Sequence, residues 1–288
     1  MMNVQDKLAQ KKKSIDTELE RILSQEDSLL FQAMRHAVLS GGKRFRPLLA
    51  LSTGECFSVG EDVILPFACG LELIHNYSLV HDDLPLLDND DSRRGQPSCH
   101  KAFGEDIALL AGDSLLTLAF EVIAQAPVDK RLVPGKETVI QEISHLVGAR
   151  GMVGGQLMDI TLTPEEISEG DLQELILKKT GALIIASVKT GAILGEASAP
   201  QLEALVEYGR NIGIAFQIRD DILDSIDEGQ KRHQPRPNYV FLHGQEEAKK
   251  RLKKFVEDGI KAFDKAALES EELHYLARRL LDIDRDGK

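Results

Sequence analysis

Two clusters of aspartate interrupt otherwise apolar, helix-reading sequence: Asp82-Asp83-Leu84-Pro85-Leu86-Leu87-Asp88 and Asp220-Asp221-Ile222-Leu223-Asp224. Unpaired carboxylates are expensive to hold in such surroundings. The chain must therefore fold so that something cationic offsets them. Magnesium is the natural candidate, a hard ion usually held by one or two carboxylates, waters and substrate phosphates. Two clusters suggest a cavity that grips a polyphosphate from both sides.

The chain's 288 residues suffice for a large buried core, and we read them as one domain, 1–288. A formal net charge of -12 argues against nucleic acid as a partner, because phosphate backbones need a basic surface. A small anionic substrate needs only a local cationic patch. Three cysteines (Cys56, Cys69, Cys99) without C-x-x-C spacing argue against a disulfide framework or a zinc site, and fit a reducing cytoplasm. Residues 1–20 are polar and lysine-rich, with no apolar signal core. No uninterrupted apolar run reaches the ~18 residues that span a bilayer. Residues 109–126 come closest, but Asp113 and Glu121 interrupt them. Stable membrane insertion is not expected.

Apolar residues recur at three- and four-residue spacing over 8–23 and 29–39. Gly41-Gly42 stops the second helix, and Pro47 sits well for the start of a third, running to Phe57. A fourth, about 62–84, is apolar on nearly all sides and so is predicted at the centre. Residues 85–104 read as a loop. Further helices are predicted at 105–125, 137–153, 165–195, 200–228, 245–266 and 269–282, with a second loop at 229–238. No period-2 strand pattern stands out. The expected fold is all-α, a single-domain bundle of roughly ten or more helices around a central cavity.

On a helix, Asp220 and Asp224 share a face, and Asp221 neighbours Asp224. Either this is a solvated acidic face or a metal site; the apolar neighbours Ile214, Phe216, Ile218 and Ile222 favour the metal. In the first cluster Pro85 ends the helix at Leu84 and leaves Asp82 and Asp83 on its last turn, opposed to the macrodipole unless a cation is bound. An acidic exposed loop is the alternative. Arg93-Arg94 and Lys43, Arg44 and Arg46 supply cations beside these helix ends, arginine as a fork and lysine as a point charge. Taken singly, either run reads equally as solvated surface. His75, two turns before Asp82, is a ligand-facing candidate or a core histidine. Lys179-Thr180-Gly181 carries a helical glycine that invites close approach, Gly154-Gly155-Gln156 with Asp159 reads as a kinked helix, and Gln217 lies one turn before Asp221.

These segments together resemble the bacterial short-chain trans-polyprenyl diphosphate synthases. The matching stretches are Gly41-Gly42-Lys43-Arg44-Phe45-Arg46-Pro47, His81 to Asp88, Arg93-Arg94-Gly95, Lys179-Thr180-Gly181-Ala182-Leu183, and Phe216 to Asp224, over about residues 20–228. The resemblance implies an all-α fold, three Mg2+ ions and a homodimer. It implies Mg2+ on Asp82, Asp83 and Asp88 from one wall and on Asp220 from the other, with Asp221 and Asp224 in support. Arg93, Lys179, Thr180 and Gln217 would hold an allylic diphosphate; Lys43, Arg46, His75 and Arg94 would hold isopentenyl diphosphate. Asp82, Asp88, Arg93, Arg94, Lys179 and Asp220 would carry the catalysis. Tyr77 and Ser78, five and four residues before Asp82, would set the cavity floor. An aromatic at Tyr77 is similar to enzymes that stop at C15, with C20 the next expectation; a plain core tyrosine is the other reading.

The segment after Asp224 departs from the family. It looks shortened, and Arg236 and Asn238 stand where a lysine and a threonine are usual. Asn89 and Ser92 also replace residues more usual nearby. A non-catalytic prenyl-diphosphate-binding subunit is therefore a second hypothesis, and a terpene cyclase a third. The cyclase is disfavoured because cyclases need no second diphosphate site.

Overall fold

The computed structural model describes residues 3–163, 167–226 and 237–283. Among them the chain runs as α1 (Val4–Leu23), α2 (Leu29–Leu39), α3 (Phe45–Cys56), α4 (Glu61–Asp82), α5 (Cys99–Phe103), α6 (Glu105–Gln125), α7 (Val133–Val147), α8 (Met152–Thr161), α9 (Glu169–Ile176), α10 (Ala182–Leu194), α11 (Ala199–Ile226), α12 (Tyr239–His243), α13 (Gln245–Asp264) and α14 (Glu271–Arg278). The fold is all-α, as the periodicity implied. Strand is confined to a two-residue hairpin, β1 (Ser92–Arg93) against β2 (Gln96–Pro97).

Caps set several helix starts. Ser28 accepts from the Phe31 N–H, and Ser168 and Asp171 form a reciprocal capping box at α9. At the centre lie α4, α10 and α11, against which α3, α6, α7 and α13 pack. The helix α10 is buried on all sides, and its two buried hydroxyls, Ser187 and Thr190, return to the Leu183 and Ala186 carbonyls at 2.8 Å. Both hydroxyls are thus satisfied within the helix, and Lys189 reaches out to Glu142 of α7 at 2.6 Å. By length and composition α4 and α6 are apolar enough to cross a bilayer. In the fold α4 is instead mostly buried by protein, whereas α6 buries only one side.

Several expected boundaries change. The helix expected over 137–153 begins at Val133 and ends at Val147; the chain turns at 148–151 and restarts as α8. Apolar spacing continues through Val147 and Met152, which masked the stop that Gly148 and Gly151 provide. The helix expected from 165 starts at Glu169 and widens into a π turn at Leu177–Gly181 before α10. The loop expected over 85–104 contains the hairpin and α5.

Candidate active site

The first wall is built where α4 ends. The chain folds back on itself: Leu87 and Asn89 N–H donate to the Leu84 carbonyl, and Asp88 N–H donates to the Asp82 carbonyl at 2.8 Å. That return sets Asp88 beside Asp82. Burial pushes the Asp82 carboxyl up to about 6; Asp88, Asp159 and Asp83 push the same way, and Lys179 pulls against them. Asp83 is buried, and its carboxylate accepts from Arg93 Nε at 3.1 Å and from Nη2. Asp83, for which the resemblance implies Mg2+, is here paired with Arg93.

The β1–β2 hairpin delivers the arginines. Arg94 and Gly95 form its two-residue turn, both left-handed (φ 52 and 74). Arg93 stays on the strand and also reaches Asp90 at 3.0 Å. Arg94 donates from Nη1 to the Gly41 carbonyl at 2.5 Å, and its guanidinium lies over Gly42. A Cβ on Gly42 would meet Arg94 Cζ at 3.0 Å, and φ there is +130, so both space and backbone call for glycine.

The second wall joins the π turn to α11. A π turn inserts one residue and is common at functional sites. Here Lys179 Nζ lies 2.6 Å from Asp159 Oδ2, and Thr180 Oγ1 donates to Gln217 Oε1 at 2.7 Å. Gln217 Nε2 in turn donates to Asp221 Oδ1 at 2.9 Å, and Asp221 Oδ2 accepts the Tyr239 N–H at 2.9 Å. Asp221, for which the resemblance implies a supporting place at the metal, thereby also links α11 to the start of α12. Asp220 keeps 42% of its side chain accessible while protein surrounds it, as for a group lining a hollow. Burial, with Asp224 and Asp221, pushes it up to about 7 against the pull of Arg219 and Lys43. Asp224 is exposed.

The third side is basic. Arg44 belongs to the core: left-handed (φ 52) and buried, it donates to Asp16 and Glu72 at 2.8 Å each and to the Val38 carbonyl. Arg46 is buried, lies 5.5 Å over the Phe216 ring and approaches His75 Nε2 at 3.4 Å. Burial and then four arginines push His75 well below its ordinary range, so it is neutral and accepts from Arg46. Lys43 is exposed at the rim. Beyond Phe45 and Phe216, whose rings pack at 5.2 Å, a cavity of about 500 Å³ opens between α1, α3, α11 and α14.

Lys179 is within electrostatic reach of Asp82, and Asp220 of both Lys43 and Arg46. The hydrogen-bonded run Thr180–Gln217–Asp221 ties the π turn to α11 within the second wall. Two carboxyls whose burial makes their charge costly, beside arginines and lysines, fit a hard divalent cation bridged to phosphate oxygens. Among the described residues no three acidic, histidine or cysteine side chains form a ready-made cage. Such an ion would rely on water and phosphate for its remaining ligands, the habit of Mg2+.

Tyr77 is buried edge-on to His81, with ring centroids 5.8 Å apart, and Ser78 Oγ returns to the His75 carbonyl at 2.9 Å. Arg236 lies outside the described residues. Asn238 caps α12, accepting from the Phe241 N–H at 2.8 Å. Sequence reasoning passed over Glu72 and Asn76, although a buried acid and amide four apart in an apolar helix are a signal. It saw Asp159 only as part of a kink.

The Polyprenyl synthetase family model matches residues 27–265, and the chain belongs to that family. A farnesyl diphosphate synthase of Geobacillus stearothermophilus is 42% identical over 77% of this chain and 76% of that protein. A chloroplastic geranylgeranyl pyrophosphate synthase of Catharanthus roseus is 43% identical over 77% of this chain and 62% of that protein. The solved apo structure of an FPP/GFPP synthase from Zymomonas mobilis superposes with a TM-score of 0.86 at 35% identity, covering 96% of this chain and 99% of that one.

Proposed function

We propose that this polyprenyl synthetase is a magnesium-dependent prenyltransferase that condenses isopentenyl diphosphate with dimethylallyl or geranyl diphosphate to give farnesyl diphosphate. The observation that carries the reading is the pairing of acid with fixed cations at both motifs: Asp82, beside Asp88 and within reach of Lys179, and Asp220, within reach of Lys43 and Arg46, each pushed above its ordinary range by burial. The bacterial farnesyl diphosphate synthase relative supports the C15 product.

Asp82, Asp88 and Asp220 would hold the ions, with Asp83, Asp221 and Asp224 behind them. Bound there, Mg2+ supplies positive charge against the charge that builds on the leaving diphosphate. Lys179, Thr180, Gln217 and Arg93 orient the allylic diphosphate so that its carbon–oxygen bond breaks among fixed positive groups. Lys43, Arg46, Arg94 and neutral His75 hold isopentenyl diphosphate with its double bond toward the resulting allylic cation. A new carbon–carbon bond forms, and the proton lost afterwards goes to the released diphosphate. The apolar faces of α4, α6 and α10 keep water from the cation.

The chain works as one domain, with a core that runs among the described residues from Leu8 to Leu280. We read the exposed apolar residues Leu109 and Leu110 of α6 as the contact with a second copy. Its three cysteines are free, in keeping with a reducing cytoplasm.

Incubation with isopentenyl diphosphate, Mg2+ and each of the C5, C10 and C15 allylic diphosphates tests the reading, with products sized by chromatography and oligomeric state by light scattering. Accumulation of C15 from C5 and C10 primers supports it. A main C20 product would favour the geranylgeranyl alternative, to which the Catharanthus roseus relative gives weight. No product with any primer would favour a non-catalytic binding subunit, and a cyclic hydrocarbon a cyclase.

A further inference from the structure

Arg44, Arg46, Arg93 and Arg94 crowd one corner of the site, the first two buried and the other two half-buried. Guanidinium groups in such a place repel one another and lose hydration, so an empty site needs a resident counter-charge. Asp83 serves Arg93. For the rest the buried carboxylate is Glu72, 2% exposed, one helical turn before Asn76 on α4. It accepts from Arg44 Nη1 at 2.8 Å and is the strongest favourable charge acting on both Arg46 and Arg94.

Asn76 connects this carboxylate to Arg94. Its Nδ2 donates to the Glu72 carbonyl at 2.8 Å and to Glu72 Oε1 at 3.3 Å, which leaves Oδ1 facing Arg94 Nη1 at 3.4 Å. The reverse amide orientation would set Oδ1 against two acceptors and NH2 against a cation, so the Glu72 carbonyl and carboxylate together fix which way the amide points. Arg94 is then located by Asn76, the Gly41 carbonyl and the surface of Gly42 together. None of these atoms belongs to the residues assigned above to substrate, apart from Arg94 itself.

We propose that Glu72 and Asn76 are positioning residues for isopentenyl diphosphate: the Glu72 carboxylate keeps the arginine corner assembled while it is empty and, through Asn76, aims Arg94. This rests on the reading that Arg46 and Arg94 hold that substrate.

The sign of one effect decides it. If Glu72 acted only as a charge, Glu72→Gln would make the corner more positive and bind an anion more tightly. If it positions, the same change weakens binding despite the added positive charge. The test is calorimetric titration of isopentenyl diphosphate into wild type, Glu72→Gln and Asn76→Ala in magnesium-free buffer, with steady-state kinetics in Mg2+. The expected result is a Kd and KM for isopentenyl diphosphate about tenfold higher in Glu72→Gln, or ~1.4 kcal/mol. For Asn76→Ala a roughly threefold rise is expected, which amounts to ~0.6 kcal/mol. In both, kcat and the allylic KM should stay within about twofold, because only binding of one substrate is touched. Asn76→Ala leaves no buried charge unpaired and carries the test should Glu72→Gln fail to fold. Unchanged or tighter binding in Asn76→Ala, or in a folded Glu72→Gln, would overturn the proposal. Wild-type turnover is read in the same assay, so absence of wild-type product, which sinks the prenyl-transfer reading, is distinct from variants that keep wild-type affinity.

Discussion

Lys179 and Asp159 meet at 2.6 Å, Nζ to Oδ2, where α8 crosses the π turn. Gly155 is what lets the two backbones come this close: a Cβ there would lie 2.2 Å from Lys179 N. The obstacle is main chain, so the clash cannot be relieved by turning a flexible side chain. Gly155→Ala is expected to cost ~1–3 kcal/mol by overpacking, and to move Lys179 away from Asp82. Denaturant unfolding should register the first effect. The second should appear as a severalfold rise in the allylic-substrate KM with the isopentenyl KM unchanged. Wild-type stability and kinetics in Gly155→Ala would remove this contact from the account.

Arg44 and Arg46 stand two residues apart and are predicted to separate cleanly. Arg44 neutralises Asp16 and Glu72 inside the protein, and removing one partner of a buried pair costs about 3–5 kcal/mol. Arg44→Met should therefore lower the unfolding midpoint sharply. Arg46 has no carboxylate within salt-bridge distance among the described residues, and burial makes its charge costly. Arg46→Met should fold at least as well as wild type and bind isopentenyl diphosphate far more weakly. Equal stability losses in the two variants would contradict this division.

Asp82 and Asp220 make the metal-free protein pH-sensitive in an unusual direction. Both carboxyls are pushed above their ordinary range, to about 6 and about 7, so the folded chain holds protons that the unfolded chain has released. Their contribution to stability is fully present below about pH 4 and is lost as pH rises toward 7. Asp220→Asn removes one of the two. In metal-free buffer at pH 8 it should melt above wild type by roughly 2 °C, a gain of ~1 kcal/mol once solvent screening is allowed for. Near pH 4 the two should melt alike. Addition of Mg2+ with inorganic diphosphate should reverse the order at pH 8. A difference curve that is flat between pH 4 and 8 would deny the raised carboxyl.

Much of this was legible in the sequence because periodicity and composition act locally. The boundaries of α2 and α6 follow directly from apolar spacing and flanking breakers. The place of Asp82 and Asp83 at the end of α4 follows from Pro85, which cannot continue the helix. What escaped depends on partners distant in the chain. The π turn at Leu177–Gly181 has no signature except Gly181, because it is imposed by packing on α8 and α11. Likewise the division of labour within Lys43, Arg44 and Arg46 is set by Asp16 and Glu72, 28 residues to either side of Arg44. Asp221 could be told from Asp220 only once Tyr239 N–H was seen to occupy it.

Product length tests the floor of the hollow. Tyr77 lies five residues before Asp82, a rise of ~7.5 Å along the helix. It is 6% exposed and packed edge-on to His81, and burial with the nearby Asp82 charge pushes its phenol up to about 12. A ring held this firmly cannot swing aside for a growing prenyl chain. On the reading that Tyr77 forms the floor, each added isoprene unit must pass it or stop there. Truncation to alanine costs ~3 kcal/mol of packing, yet it opens space along the line of α4 below the aspartates. Tyr77→Ala should therefore melt lower but shift its main product from C15 to C20 or longer in the chromatographic assay. Ser78→Phe in the same background should return the stop to C15 or shorter, because it refills the neighbouring position. If Tyr77→Ala remains active and still stops at C15, the ring is core and the floor lies elsewhere.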